Sequence, residues 1–345
     1  MSQFNVYFSS RLNIFEFISS VADPSCYVLF NTAGHVNVLA SNAPSNDFEL
    51  VTSSVAAPVS TEHLVVTAPR ISEELVNTLI NKLSGSLLAI KPVISIAGFQ
   101  SLELLLNQVV SIEEVNQAAS NYDVDVNRIS NFPDLAQPGL VVLDMDSTSI
   151  EIECIDEIAK LAGVGEQVAE ITELAMQGQL DFAESLRARV GKLKGIKLEL
   201  LDVIAKDLPL MPGMTELVKQ FKAHQWKVAI ASGGFTYFAD NLKDLLALDD
   251  AVSNVLEHEA GELTGQVVGR IVDAKVKAET VVALAEKYDI PLSQTIAIGD
   301  GANDLVMMEQ AALGVAYHAK PLVQEQASVA INQGNLAAII ALLKR

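Results

Sequence analysis

Cysteine is scarce in this chain. Cys26 and Cys154 are the only two in 345 residues, which excludes a disulfide framework and any cysteine-built metal centre. Tryptophan occurs once, as Trp226, in an apolar run that reads as core. His224, His258 and His318 lack the spacing of metal ligands and are expected to be structural or surface residues. Positive charge is the second shortage: 23 Lys and Arg stand against 43 Asp and Glu, a formal charge of -20. A polyanion would be repelled unless a basic patch were segregated, and no run of Lys or Arg offers one, so nucleic-acid binding is not expected. The acidic excess is spread along the chain and reads as a solvated surface. Long hydrophobic runs are missing as well. The longest, 83–99, is interrupted by Lys91 and Pro92 and is short for a bilayer crossing. The N-terminus lacks a basic region followed by an apolar stretch and a cleavage site. These absences lead to the expectation of a cytoplasmic protein without membrane attachment.

Half of the residues are hydrophobic, enough for sizeable cores, and the length favours a large body plus a smaller one. Residues 1–130 mix short β-branched and aromatic runs, such as 26–30, 64–67 and 93–96, with segments of helical period at 72–82 and 111–119. A small α+β domain is predicted there. The stretch 127–139 carries Pro133 and Pro138 with little periodicity and reads as the connection.

A second domain is predicted over 136–345. Its runs at 140–143, 228–231, 296–298 and 314–316 are continuously apolar, as strands buried on both faces of a parallel sheet are, and long helical patterns separate them. About 80 residues lie between the first two runs, far more than one crossover helix needs. Their helical periodicity at 155–164, 166–176, 181–192 and 198–208 predicts an inserted helical cap over about 152–210. Cys154 falls on the apolar stripe of the first of these and reads as core.

The chemistry gathers at the ends of the predicted strands, where open α/β sheets bind ligands. The first run ends in Asp144-Met145-Asp146-Ser147-Thr148, the second in Ser232-Gly233-Gly234, the third in Gly299-Asp300-Gly301-Ala302-Asn303-Asp304. Taken alone, an acidic residue after an apolar strand is most often a helix cap and a glycine pair a common turn. Three adjacent strand ends that supply carboxylates, a hydroxyl with close backbone approach, and a dense oxygen cluster suited to magnesium are much harder to obtain by accident.

These residues resemble the haloacid dehalogenase superfamily of phosphohydrolases. Within it, DMDSTSIEIECIDEIAKLAG with ASGGF and IGDGANDLVMM is similar to the phosphoserine-hydrolysing members, over about residues 136–345. The resemblance implies a doubly wound, Rossmann-like core and hydrolysis of O-phospho-L-serine, a small phosphomonoester and the last intermediate of serine biosynthesis. It assigns Asp144 as nucleophile and Asp146 as general acid and base. A magnesium ion would be held by Asp144, Asp300, Asp304 and the backbone carbonyl of Asp146. Ser232, Gly233, Asn303 and a lysine would hold the phosphoryl group; the lysine falls on Lys277, with Lys275 as competitor. In the cap, Glu153 would take the substrate ammonium and Arg189 its carboxylate, with Met176 and Phe182 closing an apolar lid. Ser147 and Thr148 are expected to support the loop. The second aspartate, Asp146, separates phosphatases from dehalogenases. Some relatives carry an N-terminal module that regulates or dimerises, and either role, with a homodimer, is the expectation for 1–130.

Overall fold

The structure is a computed structural model that describes residues 2–6, 14–20, 27–30, 36–40, 50–54, 60–130 and 133–344. Cys26 and part of the run at 26–30 lie outside the described residues. The chain divides into two compact units, 1–132 together with 329–345, and 133–328.

In the first unit an antiparallel sheet, nine-stranded among the described residues, is built around Phe99–Leu106 and Glu62–Ala68. One face of these strands is apolar at every second residue, and Leu64, Val66, Leu102 and Leu104 pack there against Leu75, Val76 and Leu79 of helix Glu73–Leu83. That helix starts at Ser72, whose hydroxyl accepts the Leu75 amide, and the second, Ile112–Ala119, starts likewise at Ser111.

The predicted second domain, 136–345, includes the end of the chain. Instead 329–345 joins the first unit. Asp125 accepts backbone hydrogen bonds from Asn332, Gln333 and Gly334 at 2.8–3.2 Å. The Asn127 side chain pairs with both the amide and the carbonyl of Ala330. Every side chain of the 3₁₀ segment Leu336–Leu342 is then buried. The interaction is made by two polar side chains with a distant backbone, which leaves no periodic trace in the sequence.

In the second unit the strands lie in the order Glu262–Val268, Asp250–Glu259, Lys227–Phe235, Leu140–Leu143, Thr295–Gly299, Leu313–Tyr317. All neighbours are parallel except the hairpin formed by the first two. Leu140, Val141, Val142 and Leu143 are each 0% exposed, which accounts for a run without alternation. At about 1.5–3 kcal/mol per fully buried aliphatic side chain, this strand alone fixes the centre of the sheet. Helices Cys154–Leu161, Gly165–Met176, Phe182–Gly191 and Leu198–Ala205 form the cap between the first and second core strands. The third begins with a capping box of Asp181 and Glu184. Cys154 and Trp226 are buried in the core. The hairpin Asp250–Val268 was not anticipated: its strands have mixed exposure and no clean alternation.

Candidate active site

Parallel pairing of Leu140–Leu143 with both Lys227–Phe235 and Thr295–Gly299 brings the three loops that follow these strands to one edge of the sheet. The Asp144 amide still donates to Ile298 at 2.9 Å, so the ladder continues onto the first carboxylate and holds it at the strand end. Asp144 Oδ1 accepts from the Met145 amide at 2.7 Å and lies 2.8 Å from the ammonium of Lys277. No donor among the described residues bonds its Oδ2.

Lys277 is 1% exposed and its ammonium also lies 2.7 Å from Asp304, which is 0% exposed. Burial alone would lower the Lys277 pKa, but Asp144 and Asp304 raise it above its ordinary value, so the lysine is charged. Lys275, two residues earlier on the same helix, is exposed. Thr148 donates to Asp300 at 3.0 Å, tying the loop after the first strand to the loop after the third, and Ser149 donates to the Asp144 carbonyl at 2.5 Å within the first loop.

Asp144, Asp300 and Asp304 each offer a carboxylate oxygen, all within 4.8 Å of one another. Three carboxylates face one lysine. Burial, and then the charge of Asp144, raises the pKa of both Asp300 and Asp304. A compact, oxygen-only donor set with excess negative charge fits a hard divalent cation. The Asp146 carboxylate is not part of the cluster; its Oδ1 accepts the Cys154 amide at 3.2 Å.

Burial, with Glu153 and Asp144 adding to it, pushes the Asp146 carboxyl up to about 7 against the opposing Cys154 hydrogen bond. A carboxyl with that pKa can give or take a proton near neutrality. Gly234 makes the approach possible, because a Cβ there would stand 2.8 Å from Asp146 Oδ2 and 2.7 Å from Met145 Cε. Ser232 is buried and its hydroxyl accepts the Gly234 amide at 2.9 Å.

A cavity of about 240 Å³ opens above these groups, with Asp144, Asp146, Ser232, Gly233, Asp300 and Asn303 on its floor side. The cap contributes Glu153, Phe182 and Arg189 to the same cavity. Glu153 accepts a hydrogen bond at 2.8 Å from Ser147, whose φ of 56° is left-handed. Burial raises its pKa, and Asp300 and Asp144 add to that. Arg189 has a buried Nε without a partner among the described residues, and burial lowers its pKa while Asp156 and Glu153 oppose. An unpaired guanidinium and a carboxyl under like-charge pressure line one space, an arrangement complementary to a zwitterion.

Three expected residues do not line the cavity: Lys277 and Asp304 are buried beneath it, paired with each other, and Met176 lies outside. Met176 is 73% exposed at the end of its helix, because only Val168 of that helix is buried. Asn254 was missed in the sequence. It is 1% exposed, donates to the Gly233 carbonyl at 2.8 Å and accepts the Val272 amide at 2.9 Å, bracing the loop after the second strand. Nothing in its local sequence distinguishes it.

Residues 138–312, just over half of the chain, match the haloacid dehalogenase-like hydrolase family. The chain belongs to this family. A phosphoserine phosphatase of Vibrio cholerae serotype O1 is 58% identical to this hydrolase over 221 residues, 64% of this chain and 67% of that protein. The crystal structure of a probable phosphoserine phosphatase from V. cholerae, in unliganded form, matches with a TM-score of 0.72 at 46% identity. It covers 81% of the hydrolase and 86% of that chain. A phospho-aspartyl intermediate analogue of phosphoserine phosphatase matches with a TM-score of 0.57 at 39% identity, covering 60% of the hydrolase and 100% of that chain. Among the described residues, no helix is long and apolar enough to cross a membrane.

Proposed function

We propose that the chain is a cytoplasmic, magnesium-dependent phosphatase that hydrolyses O-phospho-L-serine to L-serine and phosphate, the last step of serine biosynthesis. The observation that carries the reading is that Asp144, Asp146, Glu153 and Arg189 face one cavity. The first pair suits phosphoryl transfer and the second suits an amino acid.

Asp144 Oδ2 attacks phosphorus in line with the serine oxygen, while Oδ1 is held by Met145 and Lys277. The P–O bond to serine breaks as the P–O bond to Asp144 forms, and the proton on Asp146 passes to the departing oxygen. Asp146, now a carboxylate, takes a proton from water. The resulting hydroxide attacks the aspartyl-phosphate, phosphate leaves, and Asp144 is restored. Ser232, Gly233, Lys277 and Asn303 hold the equatorial phosphoryl oxygens, on which charge is spread in the transition state. Magnesium, held by Asp144, Asp300 and Asp304, supplies the positive charge that lets a carboxylate and a phosphate dianion approach each other. Glu153 binds the substrate ammonium and Arg189 its carboxylate in a bidentate, charge-assisted pair. Phe182 covers the methylene. The unit containing 1–130 serves regulation or dimerisation.

The deciding experiment is a phosphate-release screen over small phosphomonoesters with and without magnesium. Phosphoserine is expected to be turned over at least tenfold more efficiently than phosphoethanolamine or glycerol phosphate, and only with magnesium. Equal efficiency across the three would remove the amino-acid assignment while leaving a general phosphatase.

A further inference from the structure

The hairpin Asp250–Val268 reaches the cap through its backbone. At its tip, Gly195 donates to the Leu263 carbonyl at 2.7 Å, Leu263 donates to Ile196 at 2.8 Å, and Leu198 donates to Gly261 at 2.9 Å. Lys197 and Glu262 face each other as an antiparallel bridge at the centre of this short ladder. The strand Glu262–Val268 packs on helix Phe182–Gly191. There Gly265 lies so close that a Cβ would stand 3.0 Å from Lys194 Cβ and 3.4 Å from the Gly191 carbonyl oxygen. Leu193 and Leu263 are both buried at the joint.

The other half of the cap is held differently. Helix Gly165–Met176 packs on its cap neighbours Cys154–Leu161 and Phe182–Gly191, buries only Val168, and leaves Leu174 and Met176 exposed. Few buried apolar contacts mark the parts of a protein that open at low cost, whereas a backbone ladder beside buried leucines marks the parts that do not.

We infer that the hairpin tip at Gly261–Leu263 is a fixed dock for the second half of the cap. It positions helix Phe182–Gly191, and with it Arg189, over Asp144 throughout turnover, so that substrate and product pass on the 165–181 side. Arg189 as the reader of the substrate carboxylate rests on the function proposed above; the dock itself does not. Gly261, Leu263 and Leu198 are therefore positioning residues.

The test is a cross-link. Across the ladder the hydrogen bonds run from Leu198 to Gly261 and from Leu263 to Ile196, on either side of Lys197 and Glu262, so these two form the non-hydrogen-bonded, narrow type of pair with Cα atoms about 4.5 Å apart. A disulfide spans about 4.4–6.8 Å. Both side chains are exposed to oxidant. Lys197→Cys with Glu262→Cys should cross-link on mild oxidation. The oxidised protein should turn over phosphomonoester within about twofold of its reduced form, since the joint does not open during the cycle. A loss greater than tenfold that reductant restores would overturn the inference. So would failure of the pair to cross-link while both single variants fold, because the residues would then not be apposed.

A second variant reads positioning. Leu198 is the first residue of its helix, where proline is tolerated, and Lys197 before it is already extended. Leu198→Pro removes the amide that donates to Gly261, together with part of a half-buried side chain. It should raise KM for phosphoserine about three- to tenfold, the effect of one lost hydrogen bond, and leave KM for phosphoethanolamine within twofold. Equal changes for both substrates would mean the dock supports the fold without aiming Arg189. Amide exchange of the unmodified protein reads the dock without any substrate, so it stands even where phosphoserine is not turned over. Leu198 and Leu263 should be protected like the core strands; exchange as fast as in 165–176 would overturn the dock.

Discussion

Lys277 and Asp144 form an ion pair of 2.8 Å in which the lysine side chain is 1% exposed and the aspartate 8%. A buried ammonium is tolerable only when its partners stay charged, and two of the three clustered carboxylates are those partners. Replacing Lys277 by alanine strands negative charge in the core. Lys277→Ala should lose on the order of 3–5 kcal/mol of stability. Magnesium should then raise the melting temperature more in the variant than in the parent, because the cation replaces the missing charge. Calorimetry with and without magnesium checks both, and an unchanged melting temperature would contradict the burial argument.

Asp144→Asn keeps shape and most packing but removes the nucleophile. Turnover should fall on the order of a thousandfold or more while circular dichroism and melting stay near the parent. Activity within tenfold of the parent, with deamidation excluded by mass spectrometry, would sink the covalent mechanism.

Metal removal gives a separate handle. Chelation should stop phosphate release and added magnesium should restore it. Calcium should restore little, since its larger and looser shell holds the reacting oxygens less strictly. Full activity in a metal-stripped sample would refute the requirement.

Arg189→Ala should cost on the order of 2–4 kcal/mol in kcat/KM toward phosphoserine, as a charge-assisted bidentate pair in a closed site is lost. Lysine at this position should rescue only in part because it lacks the planar fork. Phosphoethanolamine, which has no carboxylate, should be hydrolysed almost as before, whereas Glu153→Gln should impair both. Equal losses on the two substrates would show that Arg189 only supports the cap.

Gly139 tests the fold apart from the chemistry. A Cβ there would stand 2.5–2.6 Å from the ring atoms of Trp226, which is 2% exposed and packed on Phe221. Gly139→Ala should therefore destabilise the protein by about 1–3 kcal/mol through overpacking, with kcat/KM preserved at low temperature. Chemical denaturation measures the first and steady-state kinetics the second.

What the sequence determined by itself is local. The unbroken apolar runs at 140–143, 228–231 and 296–298 read as strands buried on both faces, and the acidic and glycine turns that follow them place Asp144, Asp146, Ser232 and Asp300 at one edge. The four cap helices were legible for the same reason, since each carries its own apolar period or cap. Tertiary structure decided the rest. Lys277 and Lys275 are alike in sequence, and only the rotation of their helix buries one against Asp144 and exposes the other. Met176 has the composition of a lid but sits on a helix face that nothing covers. Asn254, the hairpin dock on Gly195–Leu198 and the attachment of 329–345 through Asp125 all rest on hydrogen bonds to distant backbone. Every residue carries the same amide and carbonyl, so such bonds select no residue type at one of their ends and leave no pattern in the sequence to read.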